Sequence, residues 1–317
     1  MQNNICIGTM LWGSRTSAQE AHKIINAALD YGVDFFDTAQ IYPTFPYNDW
    51  THGVSETILG DWMWSNKKKL RISTKLKSPI EPNEIEEQVD ASLKRLGVER
   101  IDYCHFHWPK RNHYHFRNVW NYSPEGNTKE ILDYFDACSE KLKDLQQQGK
   151  IEHICMSNET AWGVTQWSQR LQLKCIQNEY SLLHRLFELD VAEACYHNDV
   201  KLLAWTPLAG GLLTGKYNRF LEGSPKGSRR TYGGLGPRDN KNVWEPIEKY
   251  QKIAENAGMS LTQMSMSWVL RQPLLEAMIL GVTDSHQLKE NLDWIPELKD
   301  DVIKQIQSVF KDHPLPF

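Results

Sequence analysis

The sequence predicts an α/β fold in which eight parallel strands close into a barrel inside a ring of helices, the (β/α)8 or TIM barrel. Short β-branched or apolar runs alternate with longer helix-period segments from one end of the chain to the other, a pattern of parallel strands joined by crossover helices. Eight such runs can be counted, and 317 residues suit a barrel of this kind, which commonly spans about 250 residues or more around one core. The whole chain, residues 1–317, is therefore read as one domain.

The first run, Ile5 to Gly8, begins almost at once, so a segment from elsewhere in the chain, with the C-terminal tail as a candidate, is expected to cover the bottom of the barrel. An amphipathic stretch, Ala18 to Tyr31, ends at a glycine suited to a helix C-terminus, and Val33 to Asp37 follows as the second strand. Leu70 to Lys75 is the third strand and Ile101 to His107 the fourth, with the helix-period segment Glu84 to Gly97 between them. Thr128 to Gly149 is the next helical stretch, followed by strands at Ile151 to Ser157, Cys175 to Asn178 and Lys201 to Thr206. From Tyr217 to Asn240 the chain is rich in Gly, Pro, Ser and Arg and reads as a long loop. Helices at Trp244 to Asn256 and Leu261 to Arg271 then lead to the eighth strand, Ala277 to Gly281.

Composition narrows the function classes. Hydrophobic residues make up 40% and charged residues 24%, the balance of a water-soluble globular chain. The net charge of -4 supplies no basic field for nucleic acid. No apolar run approaches the roughly 18 to 20 residues needed to cross a bilayer. Cys6, Cys104, Cys138, Cys155, Cys175 and Cys195 are scattered without Cys-x-x-Cys spacing, and no signal-peptide pattern precedes them, so reduced thiols in cytoplasm are expected.

The chemistry gathers at the strand ends. Strand two ends in Asp37-Thr38-Ala39-Gln40-Ile41-Tyr42, strand three in Ser73-Thr74-Lys75 and strand four in His105-Phe106-His107-Trp108-Pro109. In a parallel barrel these ends are neighbours, so Asp37, Tyr42, Lys75 and His107 are expected to converge on the catalytic face. A tyrosine is a poor acid at neutral pH until a nearby cation favours its phenolate. Lys75 is placed to supply that cation, Asp37 to hold the lysine, and His107 to orient an oxygen that becomes negative. Tyr42 then donates the proton. Each residue taken alone has a plainer reading, as a structural ion pair or a hydrogen-bonded core histidine.

Taken together, the four resemble the tetrad of the aldo-keto reductase family. Gly8-Thr9-Met10, Ser55-Glu56-Thr57-Ile58-Leu59-Gly60, Leu93-Lys94-Arg95-Leu96-Gly97, His107-Trp108-Pro109, Gly149-Lys150-Ile151 and Ser157-Asn158 are similar to that family's landmarks and span nearly the whole chain. The runs Ser157 to Ala161, Gln177 to Leu183 and Leu213 to Tyr217 resemble its bacterial Tas-like branch. The resemblance implies hydride transfer between NADPH and a small-molecule aldehyde or ketone, with NADH as the alternative cofactor. It implies that Ser157, Asn158 and Gln177 hydrogen-bond the nicotinamide carboxamide and that Trp205 stacks on the ring. Thr9, Met10, Thr206, Pro207, Leu208 and Gly210 are cofactor positions by the same likeness, and Thr283, Gln287, Glu290 and Asn291 match the adenosine-binding pattern. Many NADPH-preferring members carry an arginine where Gln287 stands, so a contact to the 2′-phosphate has to come from elsewhere.

Other motifs point less clearly. Gly210 to Lys216 fits part of a P-loop, but Tyr217 stands where a Ser or Thr should bind Mg²⁺. The segment is read instead as a loop over the cofactor pyrophosphate, with Lys216 and Arg229 as candidate phosphate contacts and a solvated basic loop as the plain alternative. No Gly-x-Gly-x-x-Gly fingerprint is present. His105, His107, His113 and His115 invite a metal-hydrolase reading, but no further His or Asp ligands stand at later strand ends, and no metal is expected. The extended stretch Pro43 to His52, with Trp50, is expected to line the substrate pocket. Arg111 to Asn127 reads as a substrate or partner surface or a solvated loop. Trp12, Trp50, Trp108 and Trp120 near the mouth suggest an aryl or otherwise apolar carbonyl substrate. A cofactor-binding regulatory subunit of the same fold is the rival function, and the intact His107 favours catalysis.

Overall fold

A computed structural model describes residues 4–44, 52–115 and 122–317. Strands β1 (Ile5–Gly8), β2 (Phe35–Asp37), β3 (Arg71–Leu76), β4 (Ile101–Phe106), β5 (Ile151–Ser157), β6 (Leu173–Glu179), β7 (Lys201–Trp205) and β8 (Leu275–Gly281) form a closed barrel in chain order. Every pairing is parallel, and β1 meets β8 with Ile5 opposite Met278 and Gly8 opposite Gly281. The helices around it include α1 (Ala18–Asp30), α2 (Val54–Asn66), α3 (Ile85–Leu96), α4 (Thr128–Gln147) and α5 (Ala161–Ser168). They continue with α6 (Asp190–His197), α7 (Trp244–Asn256), α8 (Leu261–Leu270), α9 (Ser285–Leu292) and α10 (Asp300–Asp312). Among the described residues no helix is long and apolar enough to cross a membrane.

Strand boundaries differ from the expected ones where a backbone group is spent elsewhere. Val33 precedes β2 because its N–H closes α1 onto the Ala28 carbonyl at 2.9 Å, after Gly32 turns the chain with φ 75°. Thr206 leaves β7 because its φ is 57°, outside the extended region. The long stretch after β7 is a series of short 3₁₀ turns, Leu221–Gly223, Arg229–Tyr232 and Gly236–Arg238 among them.

Two apolar layers follow from the period-2 alternation of each strand. Outward residues such as Phe36, Ile72, Cys104, Ile154 and Ile176 join the helices in the main core. Inward residues Cys6, Phe35, Tyr103, Cys155, Cys175, Leu203, Ala277 and Ile279 fill the barrel. Below that filling, Tyr103 donates to Glu276 at 2.6 Å, Lys174 pairs with Glu276 at 3.5 Å, and the Arg71 guanidinium lies 4.4 Å over the Phe35 ring. Among the described residues the bottom is thus closed by side chains of the strand starts. The tail does something else: α10 packs on α7, and Phe317 stacks on His184 beyond the C-terminal end of β6.

Two of the family-like motifs turn out to lock helices to the barrel. Ser55 donates to the carbonyls of Thr9 at 3.1 Å and Trp12 at 2.9 Å, and Glu56 accepts from Thr74 at 2.6 Å and from Arg95 at 2.7 Å. A Cβ on Gly60 would lie 2.4 Å from the Arg95 carbonyl, so only glycine lets α2 approach the end of α3 so closely.

Candidate active site

The inward faces of β2 and β3 place Asp37 and Lys75 at the C-terminal end of the barrel. Lys75 Nζ donates to Asp37 Oδ2 and to the Thr38 carbonyl, each at 2.7 Å, and both side chains are buried. Asp37 Oδ1 accepts from Ser73 Oγ at 2.8 Å and from Gln177 Nε2 at 2.7 Å, so three side chains hold one carboxylate. Ser73 Oγ also meets His105 Nε2 at 3.0 Å, and His105 Nδ1 lies 3.2 Å from the Met156 carbonyl. Ser73 and His105 were not marked as site residues from sequence. For Ser73 the only signal there is inward parity with Lys75, and His105 stood out only in the His-x-His of the metal-hydrolase reading.

Tyr42 lies above this layer, with Lys75 Nζ 4.8 Å from its ring centroid and the His107 ring 5.8 Å away and nearly perpendicular. The four expected residues therefore do converge. Their electrostatics differ from the simple expectation. Burial raises the Tyr42 phenol above its ordinary value, Lys75 pulls it back down, and burial prevails. For Lys75 burial works against the charge, but Asp37 and Tyr42 outweigh it and raise its pKa. Burial, with Lys75 and His105 adding to it, keeps His107 neutral, well below the usual histidine range. Its Nδ1 is buried without a hydrogen-bond partner among the described residues.

The expected cofactor positions run along the same face. Ser157 Oγ donates to the Gln177 carbonyl at 2.9 Å, and Asn158 Nδ2 donates to the His107 carbonyl at 2.9 Å. Asn158 Oδ1 and Trp205 Nε1 are buried and unpartnered among the described residues. Gln177 spends its amide nitrogen on Asp37. After Trp205 the chain turns through positive φ at Thr206, Ala209, Gly210 and Gly211, with Pro207 and Leu208 between them. Lys216 is exposed, while Arg229 donates to the Gly234 carbonyl at 2.7 Å and acts electrostatically on Tyr42. Thr9 is buried with its hydroxyl unpartnered, and Met10 accepts from the Thr44 N–H at 3.4 Å. Beyond β8, Thr283 N–H donates to Gln287 Oε1 at 3.2 Å, and the Thr283 carbonyl accepts from Thr16. Glu290 and Asn291 follow on α9, with the Glu290 side chain 64% exposed.

Sequence reasoning also missed two buried bidentate pairs on this face. Arg238 holds Glu179, at the end of β6, at 2.7 and 2.6 Å, and its guanidinium is 5.6 Å from the Trp205 ring. Arg111 holds Glu159 at 2.9 and 2.6 Å and so ties the segment after β4 to the end of β5. A cavity of about 410 Å³ lies behind that segment, walled by Trp108, Ile131, Phe135, Met156 and Trp167 rather than by the Asp37–Lys75 layer. Trp12 is fully buried against Phe36 and does not line the mouth. Trp50 and Trp120 lie outside the described residues. The four histidines of the metal-hydrolase reading do not form a ligand group among the described residues.

The sequence profile of the Aldo/keto reductase family matches residues 4–311. The chain is similar to Protein tas of Escherichia coli (strain K12), 33% identical over 98% of this chain and 94% of that protein. It is also similar to the uncharacterized oxidoreductase YrpG of Bacillus subtilis (strain 168), 27% identical over 97% of this chain and 92% of that one. Among solved structures, a glycerol dehydrogenase from Gluconobacter oxydans superposes with a TM-score of 0.74 at 25% identity, covering 98% of this chain and 91% of that one.

Proposed function

The chain belongs to the aldo/keto reductase family, and from that premise we propose that it reduces a small aldehyde or ketone to an alcohol with NADPH, using Tyr42 as the proton donor. The observation that carries this reading is the buried Asp37–Lys75 pair lying beneath Tyr42, with the neutral His107 beside it. A bound nicotinamide supplies the hydride. Every other part of the reaction falls to the chain's own side chains. Tyr42 stays protonated at neutral pH and so has a proton to give to the oxygen that becomes negative. Lys75, fixed by Asp37 and the Thr38 carbonyl, is the cation that lowers the cost of the phenolate left behind. His107 offers a neutral ring to orient the carbonyl oxygen without a competing positive charge.

The residues present fit a nicotinamide. Asn158 Oδ1 is a buried acceptor in want of a donor, which a carboxamide N–H supplies. Trp205 stands at the end of β7 as the stacking residue, held by Arg238. The positive-φ turn from Thr206 to Gly211 and Lys216 is assigned to the pyrophosphate, and Arg229 to a phosphate contact. Thr283, Gln287, Glu290 and Asn291 are assigned to the adenosine, with Thr9 and Met10 at the β1 end. NADPH remains the first choice and NADH the alternative, in a cytoplasmic setting consistent with buried, free cysteines. Titration with each nucleotide, followed by quenching of tryptophan fluorescence, tests the reading. Binding of one of them with turnover of aldehydes supports it, binding without turnover supports a regulatory subunit, and binding of neither overturns both.

A further inference from the structure

The cavity behind the segment after β4 takes no part in the reduction. Phe106 on β4 and Met156 on β5, which wall it, face outward from the strands, so it lies between the barrel and helices α4 and α5 rather than inside the barrel. None of Asp37, Tyr42, Lys75 and His107 lines it. Trp108 links the two places: it forms part of the cavity wall, and its ring lies parallel to that of His107, within 5° and 6.1 Å between centroids. The volume, about 410 Å³, falls in the range of about 300–1,000 Å³ that small-molecule sites occupy.

The polarity of the lining runs in one direction. At one end Phe106, Phe135, Met156 and Trp167 are buried, and Phe135 meets Trp167 edge-on at 4.3 Å. At the other, Glu125 and Glu130 are exposed. The two cations of the lining are already committed, Arg111 to Glu159 and Lys110 to both carboxylate oxygens of Glu81 at 2.5 and 2.6 Å. Lys129, next to Glu130 in the chain, pairs with Asp133. Among the described residues no cation meets Glu125 or Glu130, and the Glu130 side chain accepts from the Asn127 amide at 3.3 Å. An anion drawn to the start of α4 by its backbone N–H groups would face both carboxylates, so the charge at this mouth selects a cation.

We propose that the cavity binds a small arylalkylamine, with its ring among Trp108, Phe135 and Trp167 and its ammonium at Glu125 and Glu130. Aromatic walls favour an aryl body through edge and face contacts beyond the area they bury. The inner polar groups ask nothing of the ligand, since Arg111 is held by Glu159 and Ser157 donates to the Gln177 carbonyl. A primary alkylamine is protonated at neutral pH, as lysine is. At the exposed end its charge meets the carboxylates while still in contact with water, so no ion is desolvated. Ring burial supplies most of the affinity, and the carboxylates set the preference among ligands of one shape. Binding needs neither nucleotide nor turnover, so the proposal goes beyond the reductase reading and stands or falls apart from it.

Calorimetric titration of the full chain with 2-phenylethylamine, 2-phenylethanol and 3-phenylpropanoate, probes of similar shape and different charge, tests it at neutral pH and low salt. The amine should bind about threefold or more tightly than the alcohol, the scale of an exposed ion pair, and the acid should bind most weakly. Joint replacement Glu125→Gln, Glu130→Gln, at two surface positions, should bring the amine level with the alcohol. Ile131→Trp, which fills the cavity from α4, should weaken the amine about tenfold or more in protein whose circular dichroism is native. The proposal is overturned if none of the probes binds wild type at millimolar concentration, or if the alcohol or the acid binds as tightly as the amine. It is overturned equally if the double glutamine variant keeps the preference, or if folded Ile131→Trp binds the amine as wild type does, which would place the amine elsewhere.

Discussion

Replacing Lys75 by methionine tests the centre of the proposed site. The pair it breaks is buried on both sides, with exposures of 1% for Lys75 and 4% for Asp37. Ser73 and Gln177 both donate to Asp37 Oδ1, so without Lys75 the Oδ2 atom loses its donor and the Thr38 carbonyl loses one as well. Removing one partner of a buried ion pair costs about 3–5 kcal/mol, because the other charge is left uncompensated. Unfolding entropy of about 2.1 cal/mol/K per residue over 317 residues gives roughly 0.7 kcal/mol per degree, so Tm should fall by about 4–8 °C. In the double variant Asp37→Asn, Lys75→Met the stranded charge is gone, and at least half of that loss should return. The assay is thermal unfolding at neutral pH at two salt concentrations, since a pair this buried is little screened. If Lys75→Met melts within about 1 °C of wild type, or if the double variant's loss is the sum of the single losses, the pair is not the coupled unit described here.

Tyr42→Phe should keep nucleotide binding, read by tryptophan quenching, and lower kcat by about 10²–10⁴-fold, the usual contribution of a general acid. The pH profile of carbonyl reduction carries a sign that can be checked: Tyr42 donates only while protonated, and burial raises its pKa. Activity should therefore stay level through neutral pH and fall only as pH rises beyond the ordinary tyrosine value of about 10. A basic limb centred near neutrality would remove Tyr42 from the role. Arg238→Met strands the Glu179 carboxylate, which is 5% exposed, and should cost about 3–5 kcal/mol in chemical denaturation at neutral pH. Despite the opposing effect of burial, Arg238 holds the Glu179 pKa below the ordinary value, so the pair's stabilisation is present above the ordinary carboxylate range and is lost as pH falls through the folded value. The gap between wild type and Arg238→Met should accordingly close in acid.

The barrel was legible because alternation of apolar runs and helical periods is a local property, and β1 and β5 were read with their observed ends. The errors arose where a distant or special backbone group decides. Val33 is drawn from β2 by the end of α1, and Thr206 leaves β7 because of its φ. The convergence of Asp37, Tyr42, Lys75 and His107 was legible because strand ends in a parallel barrel are neighbours by construction. Arg238 and Glu179 were not, since 59 residues separate them and nothing local to a loop arginine says which carboxylate it reaches. Trp12 looked like a mouth residue and is core, because composition counts tryptophans without placing them.

The same geometry explains how a lysine can sit charged in the middle of a barrel. Its charge is met by Asp37, the second oxygen of Asp37 by Ser73 and Gln177, and Ser73 in turn by His105. These polar contacts join the inner faces of β2, β3, β4 and β6. The adjacent apolar filling of Phe35, Tyr103, Leu203 and Ile279 restricts the rotamers from below. Buried polar atoms are costly when unpaired and mutually supporting when paired, so such a layer favours being either fully connected or absent. An inward position in this barrel is therefore chosen by its neighbours across the strands more than by its neighbours in the chain. That is why Ser73 and His105, ordinary in sequence, prove to be part of the site's foundation.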